Sequence, residues 1–173
     1  MYELHKNEQY FFDTQTLEHL ASFLSKYNSI GVLCAPLLGK ALADNKKTIT
    51  LLDIDERFYN IPGFLHWDIY KPQRLPQKFD IIICDPPFFN VSLSQLFKAI
   101  GILSHYDVEQ KLLISYLHRR GNAFISTFSP FGLESTSFYP GYVTVKKIDK
   151  NKIEFFGNLG NEVHTSLSNQ FLI

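Results

Sequence analysis

The residues of this chain best suited to chemistry are Asp85-Pro86-Pro87-Phe88, directly after the apolar run Phe79-Asp80-Ile81-Ile82-Ile83-Cys84. An apolar run of this kind, rich in β-branched residues, is typical of a strand buried on both faces of a parallel sheet. The residues that follow such a strand lie at its carboxyl end, where open α/β sheets bind ligands. Two successive prolines form a stiff turn, because each lacks an amide hydrogen and has a fixed φ. A carboxylate, carbonyl oxygens and an aromatic ring therefore meet at one point, and together they can bind an amine.

Predicted strands and helices alternate along the chain, which is the pattern of a parallel sheet covered by helices. Apolar runs predict strands over 30–34, 48–52, 64–67, 79–84, 112–115 and 124–128. Helices are predicted from the cap residue Asp13 to near Tyr27, from Pro36 to about Asn45, and after the capping pair Ser92 and Gln95. A final hairpin is predicted from strands over 142–148 and 153–156. We expect an α/β fold with a mainly parallel, doubly wound sheet and an antiparallel edge hairpin.

Length and composition favour one domain over residues 1–173, since the 173 residues, 45% of them hydrophobic, suffice for a single core. Seventeen Lys and Arg balance seventeen Asp and Glu, so a nucleic-acid substrate would need a local basic patch or a partner subunit. Two cysteines are too few for a disulfide framework or a zinc site. With no apolar run long enough for a membrane span and no signal peptide pattern, we expect a cytoplasmic protein without a metal.

The Asp-Pro-Pro-Phe motif resembles the amine-binding motif of S-adenosylmethionine (SAM)-dependent N-methyltransferases, above all those that act on the exocyclic amine of adenine. The resemblance implies that the Asp85 side chain and the Pro86 carbonyl accept hydrogen bonds from the target amine, while Phe88 packs on the substrate and Pro87 completes the turn. It also implies the class I methyltransferase fold, which is Rossmann-like. The alternative is a Pro-Pro loop that merely ends a core strand.

Acidic residues at the ends of two other predicted strands suit the cofactor. Asp53 can accept hydrogen bonds from both ribose hydroxyls, as acids do in dinucleotide folds, and Asp55 is its rival two residues later. Asp68 matches the position that, in such methyltransferases, binds the adenine amine of SAM, with Ile54 and Ile69 against the ring. Each acid alone is equally well explained as a turn residue.

A narrower resemblance, to the probable N(6)-adenine methyltransferase family, covers roughly residues 9 to 90. It rests on Gln9-Tyr10-Phe11-Phe12-Asp13, on Ala35-Pro36 in place of a glycine-rich loop, and on Asp53-Ile54-Asp55-Glu56-Arg57-Phe58. The resemblance implies that residues 1–28 pack on the cofactor site, where the methionine end of SAM would contact Tyr10, Phe11, Phe12 and Thr16. A hydrophobic staple before the Asp13 cap is the alternative for these aromatic residues.

Three functions remain open at this point. The first is transfer of a methyl group to adenine in RNA or DNA, favoured by Phe88 and by the basic pair Arg119 and Arg120. The second is transfer to a protein lysine, since this family includes elongation-factor lysine methyltransferases. The third is a SAM-binding or partner-binding module without catalysis.

Overall fold

The structure is a computed structural model that describes residues 2–146 and 148–169. Its strands are β1 (Ser29–Leu33), β2 (Thr48–Asp53), β3 (Phe64–His66), β4 (Ile81–Cys84), β5 (Leu112–Leu117), β6 (Glu134–Phe138) and β7 (Ile153–Gly157). Its α-helices are α1 (Thr14–Leu24), α2 (Pro36–Asp44), α3 (Leu93–Leu103), α4 (Gly121–Thr127) and α5 (Asn161–Asn169).

The seven strands form one sheet in the order β3-β2-β1-β4-β5-β7-β6. The first five in chain order pair in parallel, whereas β7 pairs antiparallel with both β5 and β6. The chain builds outward from β1 to β3 and then returns to place β4 on the other side of β1. A crevice opens at such a reversal of strand order, at the carboxyl ends of the strands.

The central strands are buried over nearly their whole length, and helices pack against the sheet. Every residue of β4 and β5 is buried, as the uninterrupted apolar runs predicted. The predicted helix caps are confirmed: Asp13 accepts a hydrogen bond from the Thr16 amide, 2.8 Å away, and Ser92 from the Gln95 amide at 3.1 Å. Pro36 is the first residue of α2.

The predicted edge hairpin is wrong in its first strand. The outer partner of β7 is β6, so the antiparallel edge exists but begins earlier in the chain. Lys147, part of the predicted strand over 142–148, lies outside the described residues. Residues 139–146 form a loop instead, which touches the N-terminal segment through an isolated bridge between Phe12 and Tyr142. The strand pattern over 142–148 misled because its apolar residue Tyr142 packs its ring into the core from a loop.

The strand predicted over 124–128 is also wrong, since residues 124–127 belong to α4 and Phe128 caps its C-terminus. Phe124 and Phe128 lie one helical turn apart, and their rings stack with centroids separated by 4.6 Å. A pair of large apolar residues four apart fits a helix as well as a strand, and here the packing of both rings decides the outcome.

Within the described ranges, no helix combines the length and the apolar character that a membrane span requires.

Candidate active site

A cleft of about 240 Å³ lies at the carboxyl ends of the first four strands. Each of these strands contributes a residue at or just beyond its end to the wall of the cleft. These residues are Cys34 directly after β1, Asp53 at the end of β2, Asp68 two residues after β3 and Asp85 directly after β4. The cleft therefore occupies the reversal point of the strand order, where a ligand site is expected. Its lining residues include the following predicted site residues: Tyr10, Asp53, Ile54, Asp68, Ile69, Asp85, Pro86, Pro87 and Phe88.

Asp85 is almost fully buried at the base of this cleft, with 7% of its surface exposed. Its Oδ1 accepts hydrogen bonds from the hydroxyls of Ser115 and Tyr142, the latter at 2.7 Å. Burial raises the pKa of Asp85 to about 7, although both hydroxyls act in the opposite direction. The carboxyl group is therefore poised to exchange a proton near neutral pH.

The turn after Asp85 is held by its backbone. The Pro87 carbonyl accepts a hydrogen bond from the Val91 amide at 3.1 Å, so this carbonyl is not free. The Pro86 carbonyl accepts no hydrogen bond from the described residues. Of the two proline carbonyls, Pro86 is thus the one left for a ligand.

Asp53 and Asp68 lie on the other side of the cleft. Asp53 has 5% of its surface exposed, and its Oδ1 accepts a hydrogen bond from the Asp55 amide at 2.9 Å. Burial raises the pKa of Asp53 to about 6, and the neighbouring Asp55 charge adds to the effect. Asp68 accepts a hydrogen bond from the Tyr70 amide at 2.8 Å. Between these carboxylates, Ile54 and Ile69 supply apolar surface to the cleft.

Asp55, the rival of Asp53, does not line the cleft. It caps the short helix at Glu56–Phe58 and forms an ion pair with Arg57 at 2.7 Å. Burial alone would raise the pKa of Asp55, but hydrogen bonds from Arg57 and Gln9 outweigh it and hold the pKa below its ordinary value. Its side chain fixes the chain after β2 and leaves Asp53 as the acid of the cleft.

Five other predicted cofactor residues lie behind the wall of the cleft. Ala35 and Pro36 begin α2, and Pro36 is buried. Phe11 packs edge-on against Phe58, and Phe12 against Tyr142. The Thr16 hydroxyl accepts a hydrogen bond from the Gly141 amide at 2.9 Å. These contacts agree with the alternative in which residues 11–16 pack as structure, and of the aromatic run only Tyr10 reaches the cleft.

The N-terminal segment forms one wall of the cleft through residues 6–10. Glu8 connects this wall to the turn that follows Asp85, because the Oε2 atom of Glu8 accepts hydrogen bonds from the amides of Phe89 and Asn90, each at 3.0 Å. A second tie joins Gln9 to Asp55 at 3.1 Å. Sequence reasoning missed Glu8, since nothing in its spacing relates it to residues about eighty positions later.

Cys34, Ser115 and Tyr142 were also missed as parts of the site. Cys34 has a φ of 59°, the left-handed region that favours glycine, directly after β1. The turn that a glycine-rich loop usually makes is thus made here by a cysteine. Ser115 and Tyr142 reach Asp85 from 30 and 57 positions away, and only the sheet order brings them together.

A second cavity, which we call the aromatic recess, adjoins the cleft. It has a volume of about 200 Å³ and shares Tyr10 and Phe88 with the cleft. Its other lining residues are Phe89, Leu117, Thr144, Val145, Lys146, Asn151 and Ile153. Among these lining residues, all in the described part of the chain, none is a carboxylate and Lys146 is the one charge.

The site contains no group of His, Cys, Asp and Glu able to hold a metal ion, as far as residues 2–146 and 148–169 are concerned.

Comparison with known proteins gives both a family and a fold. A sequence model of the family described as probable N6-adenine methyltransferase matches residues 3–159. No curated protein matches the chain.

Solved structures with a similar fold include three methyltransferases. A putative RNA methyltransferase from Pyrococcus horikoshii is 15% identical, with a TM-score of 0.61, and the match covers 90% of this chain and 88% of that one. Magnesium protoporphyrin IX methyltransferase from Synechocystis PCC 6803, with bound SAM, is 16% identical with a TM-score of 0.58, covering 83% and 78%. The N-methyltransferase NodS from Bradyrhizobium japonicum WM9, in complex with S-adenosyl-L-homocysteine, is 16% identical with a TM-score of 0.56, covering 84% and 86%. The expected class I methyltransferase fold is thereby confirmed.

Proposed function

The chain belongs to the probable N6-adenine methyltransferase family, and from this premise we propose that it methylates the exocyclic amine of adenine in a nucleic acid. Family membership makes the protein a SAM-dependent methyltransferase. The proposal concerns the target of the methyl group and the residues that bind SAM and substrate. The observation that carries it is the buried Asp85 carboxylate in the cleft, three residues before Phe88, which lines both the cleft and the aromatic recess.

The cleft fits SAM by the chemistry of its walls. Asp53 would accept hydrogen bonds from the ribose hydroxyls, and Asp68 from the adenine amine. Ile54, with 48% of its surface exposed, offers an apolar face that only a bound ring would cover. When bound, SAM supplies a methyl group on a sulfonium, which an amine can attack without a nucleophile on the enzyme.

Asp85 and Pro86 would hold the target amine in line with that methyl group. The free Pro86 carbonyl and the Asp85 carboxylate each accept one amine hydrogen, which directs the nitrogen lone pair away from them. As nitrogen takes the methyl group, the sulfur–methyl bond breaks and its electron pair stays on sulfur as a neutral thioether. Positive charge would then grow on nitrogen, where the buried Asp85 carboxylate would stabilise it. With a pKa of about 7, Asp85 can then accept the proton that the nitrogen loses.

The aromatic recess favours a base over a lysine side chain. Three rings, those of Tyr10, Phe88 and Phe89, line it, and a base stacked on one ring gains about 1–3 kcal/mol. A lysine ammonium would instead meet Lys146, with no acidic side chain from the described lining residues to balance it. The recess therefore matches a neutral, planar target.

Basic residues adjoin the recess and suit a phosphate backbone. The His118 amide donates a hydrogen bond to the Lys152 carbonyl at 2.9 Å, which brings two exposed segments together. Arg119, Arg120, Lys150 and Lys152 are all exposed there. They lie within three residues along the chain of Leu117 and Ile153 of the recess wall, so the segments that leave the recess would offer four cations to a phosphate backbone.

A protein lysine is the second candidate. A lysine ammonium must lose a proton before its nitrogen can take a methyl group, and the buried Asp85 carboxylate, with a pKa of about 7, could accept that proton. As further parts of the proposal, we place the enzyme in the cytoplasm and allow a partner subunit to assist substrate recognition, since the chain has no net charge.

The two candidates are separated by incubating the protein and a cell extract with SAM labelled in its methyl group, then digesting the products with nuclease or protease. Asp85→Ala is the negative control, and Asp44→Asn, which changes an exposed carboxylate, is the matched positive control. Label released by nuclease and absent with Asp85→Ala supports the proposal. Label released only by protease would assign a lysine target instead.

A further inference from the structure

Two hydroxyl groups from distant parts of the chain bind the same oxygen of Asp85. The Ser115 hydroxyl and the Tyr142 hydroxyl both donate to Oδ1. Ser115 is completely buried and Tyr142 nearly so. Each hydroxyl has one proton to donate. The Ser115 hydroxyl also lies 3.4 Å from the Cys84 carbonyl, and its contact with Oδ1 of Asp85 is the shorter of the two.

The two donors are themselves held rigidly. Ser115 lies on β5, one residue beyond the register pair that joins Cys84 of β4 to Ile114, and so stands beside Asp85. The Tyr142 ring packs on Phe12, with centroids 5.1 Å apart. The backbone next to it is fixed by a hydrogen bond from the Val143 amide to the Phe11 carbonyl at 2.9 Å. The Asp85 carboxylate is therefore held by one hydrogen bond from the sheet and by another from the 139–146 loop.

This arrangement distinguishes the two oxygens of Asp85. Oδ1 accepts both hydroxyl protons, whereas Oδ2 accepts no hydrogen bond from the described residues, although Asp85 lines the cleft. We infer that Ser115 and Tyr142 are positioning residues, whose hydroxyls fix the rotamer of Asp85 so that Oδ2 is the oxygen presented to the target amine. The inference rests on the proposed role of Asp85.

The titratable groups near Asp85, which are one phenol and two thiols, are uncharged when Asp85 is ionised. Burial raises the pKa of Tyr142 well above its ordinary value, and the Asp85 charge adds to this effect. Burial also raises the thiol pKa values of Cys34 and Cys84 well above the ordinary value. The phenol and both thiols are therefore neutral, and the two hydroxyls stabilise a single negative charge.

The test uses Tyr142→Phe and Ser115→Ala, each of which removes one hydroxyl and little else. Tyr27→Phe and Ser104→Ala are the matched controls, because Tyr27 lies before β1 at the opposite end of the sheet and the Ser104 hydroxyl binds the Gly101 carbonyl. The pKa of Asp85 is measured from the pH dependence of the carbon-13 NMR resonance of its carboxyl carbon. This resonance is assigned by its absence from the spectrum of Asp85→Asn. Turnover is measured with SAM and total RNA as the methyl acceptor.

We expect each variant to raise the pKa of Asp85 by about one, since a hydrogen bond to a charged group is lost. The kcat at pH 7 should fall about fivefold or more, and the KM for SAM should stay within about twofold, because neither hydroxyl lines the cleft. At pH 9 Asp85 is ionised in the variants as well, so the part of the loss in kcat that comes from its protonation should disappear. Any loss in kcat that remains at pH 9 reports a carboxylate that is out of position.

An unchanged Asp85 pKa in both variants would overturn the inference, as would a kcat within twofold of the wild-type value at pH 7 in both. Full turnover by Asp85→Ala would overturn the proposed function instead. A raised pKa in the same NMR titration would then still support the two hydrogen bonds, so the two failures are distinguishable.

Discussion

Replacing Asp85 with Asn should stabilise the protein while abolishing methyl transfer. The buried carboxylate has its pKa raised from an ordinary 3.8 to about 7, so the folded state holds this proton more tightly than the unfolded state. Stability therefore falls as the pH rises from about 4 to about 7. At about 1.4 kcal/mol for each tenfold change in proton affinity, the penalty reaches about 4 kcal/mol above pH 7.

Asp85→Asn is neutral at every pH and escapes this penalty, while its side-chain oxygen still accepts from Ser115 and Tyr142. The variant should exceed the wild type in unfolding free energy by about 1.5 kcal/mol at pH 5 and by up to about 4 kcal/mol at pH 8. Asp53, whose pKa is raised to about 6, contributes to both proteins and cancels in the difference.

The assay is urea unfolding followed by circular dichroism at pH 5 and pH 8. Asp44→Asn is the control, since Asp44 forms an exposed ion pair with Lys40, and it should change stability by less than about 1 kcal/mol at either pH. A difference between Asp85→Asn and wild type that is equal at the two pH values, or negative at pH 8, would refute the reasoning.

Three further predictions concern the cleft. Asp53→Ala should weaken SAM binding, measured by calorimetry, about tenfold or more, because a charged hydrogen-bond acceptor is lost. Asp55→Asn should change the affinity for SAM by no more than about threefold. Equal losses of affinity in the two variants would contradict the assignment of Asp53. The kcat should rise about tenfold from pH 6 to pH 8, because the ionised form of Asp85 is the active one and its pKa is about 7; a flat profile would count against Asp85. Glu8→Ala should speed hydrogen exchange at the Phe89 and Asn90 amides, which donate to Glu8, and unchanged exchange there would show that this tie is absent in solution.

The sequence was most informative about the strand ends. Apolar runs located β1, β2, β4 and β5. Asp53 at the end of β2 and Asp85 after β4 lie in the cleft because parallel strands end at the same edge of the sheet. Helix starts were equally predictable, since Asp13 and Ser92 cap through hydrogen bonds that span only three residues. Local chemistry decides both features.

The remainder depends on contacts between distant residues. Tyr142 lies in what resembled a strand, and its role on Asp85 follows only from the docking of the 139–146 loop on Phe12. Phe11, Phe12 and Thr16 were assigned to SAM by resemblance, yet they pack behind the cleft wall while Tyr10, one position earlier, lines it. The partners on which this segment docks, Phe58 for Phe11 and Tyr142 for Phe12, decide which residues face a ligand, and the sequence does not identify those partners.

The most direct test of the proposed function identifies the methylated atom. The protein is incubated with total RNA and with SAM that has a deuterated methyl group. The RNA is then hydrolysed to nucleosides, which are separated by chromatography and identified by mass spectrometry. Deuterated N6-methyladenosine formed by the wild type, and absent with Asp85→Ala, is the predicted result. Label on a ring nitrogen or a ribose oxygen, or equal amounts from Asp85→Ala, would contradict the account.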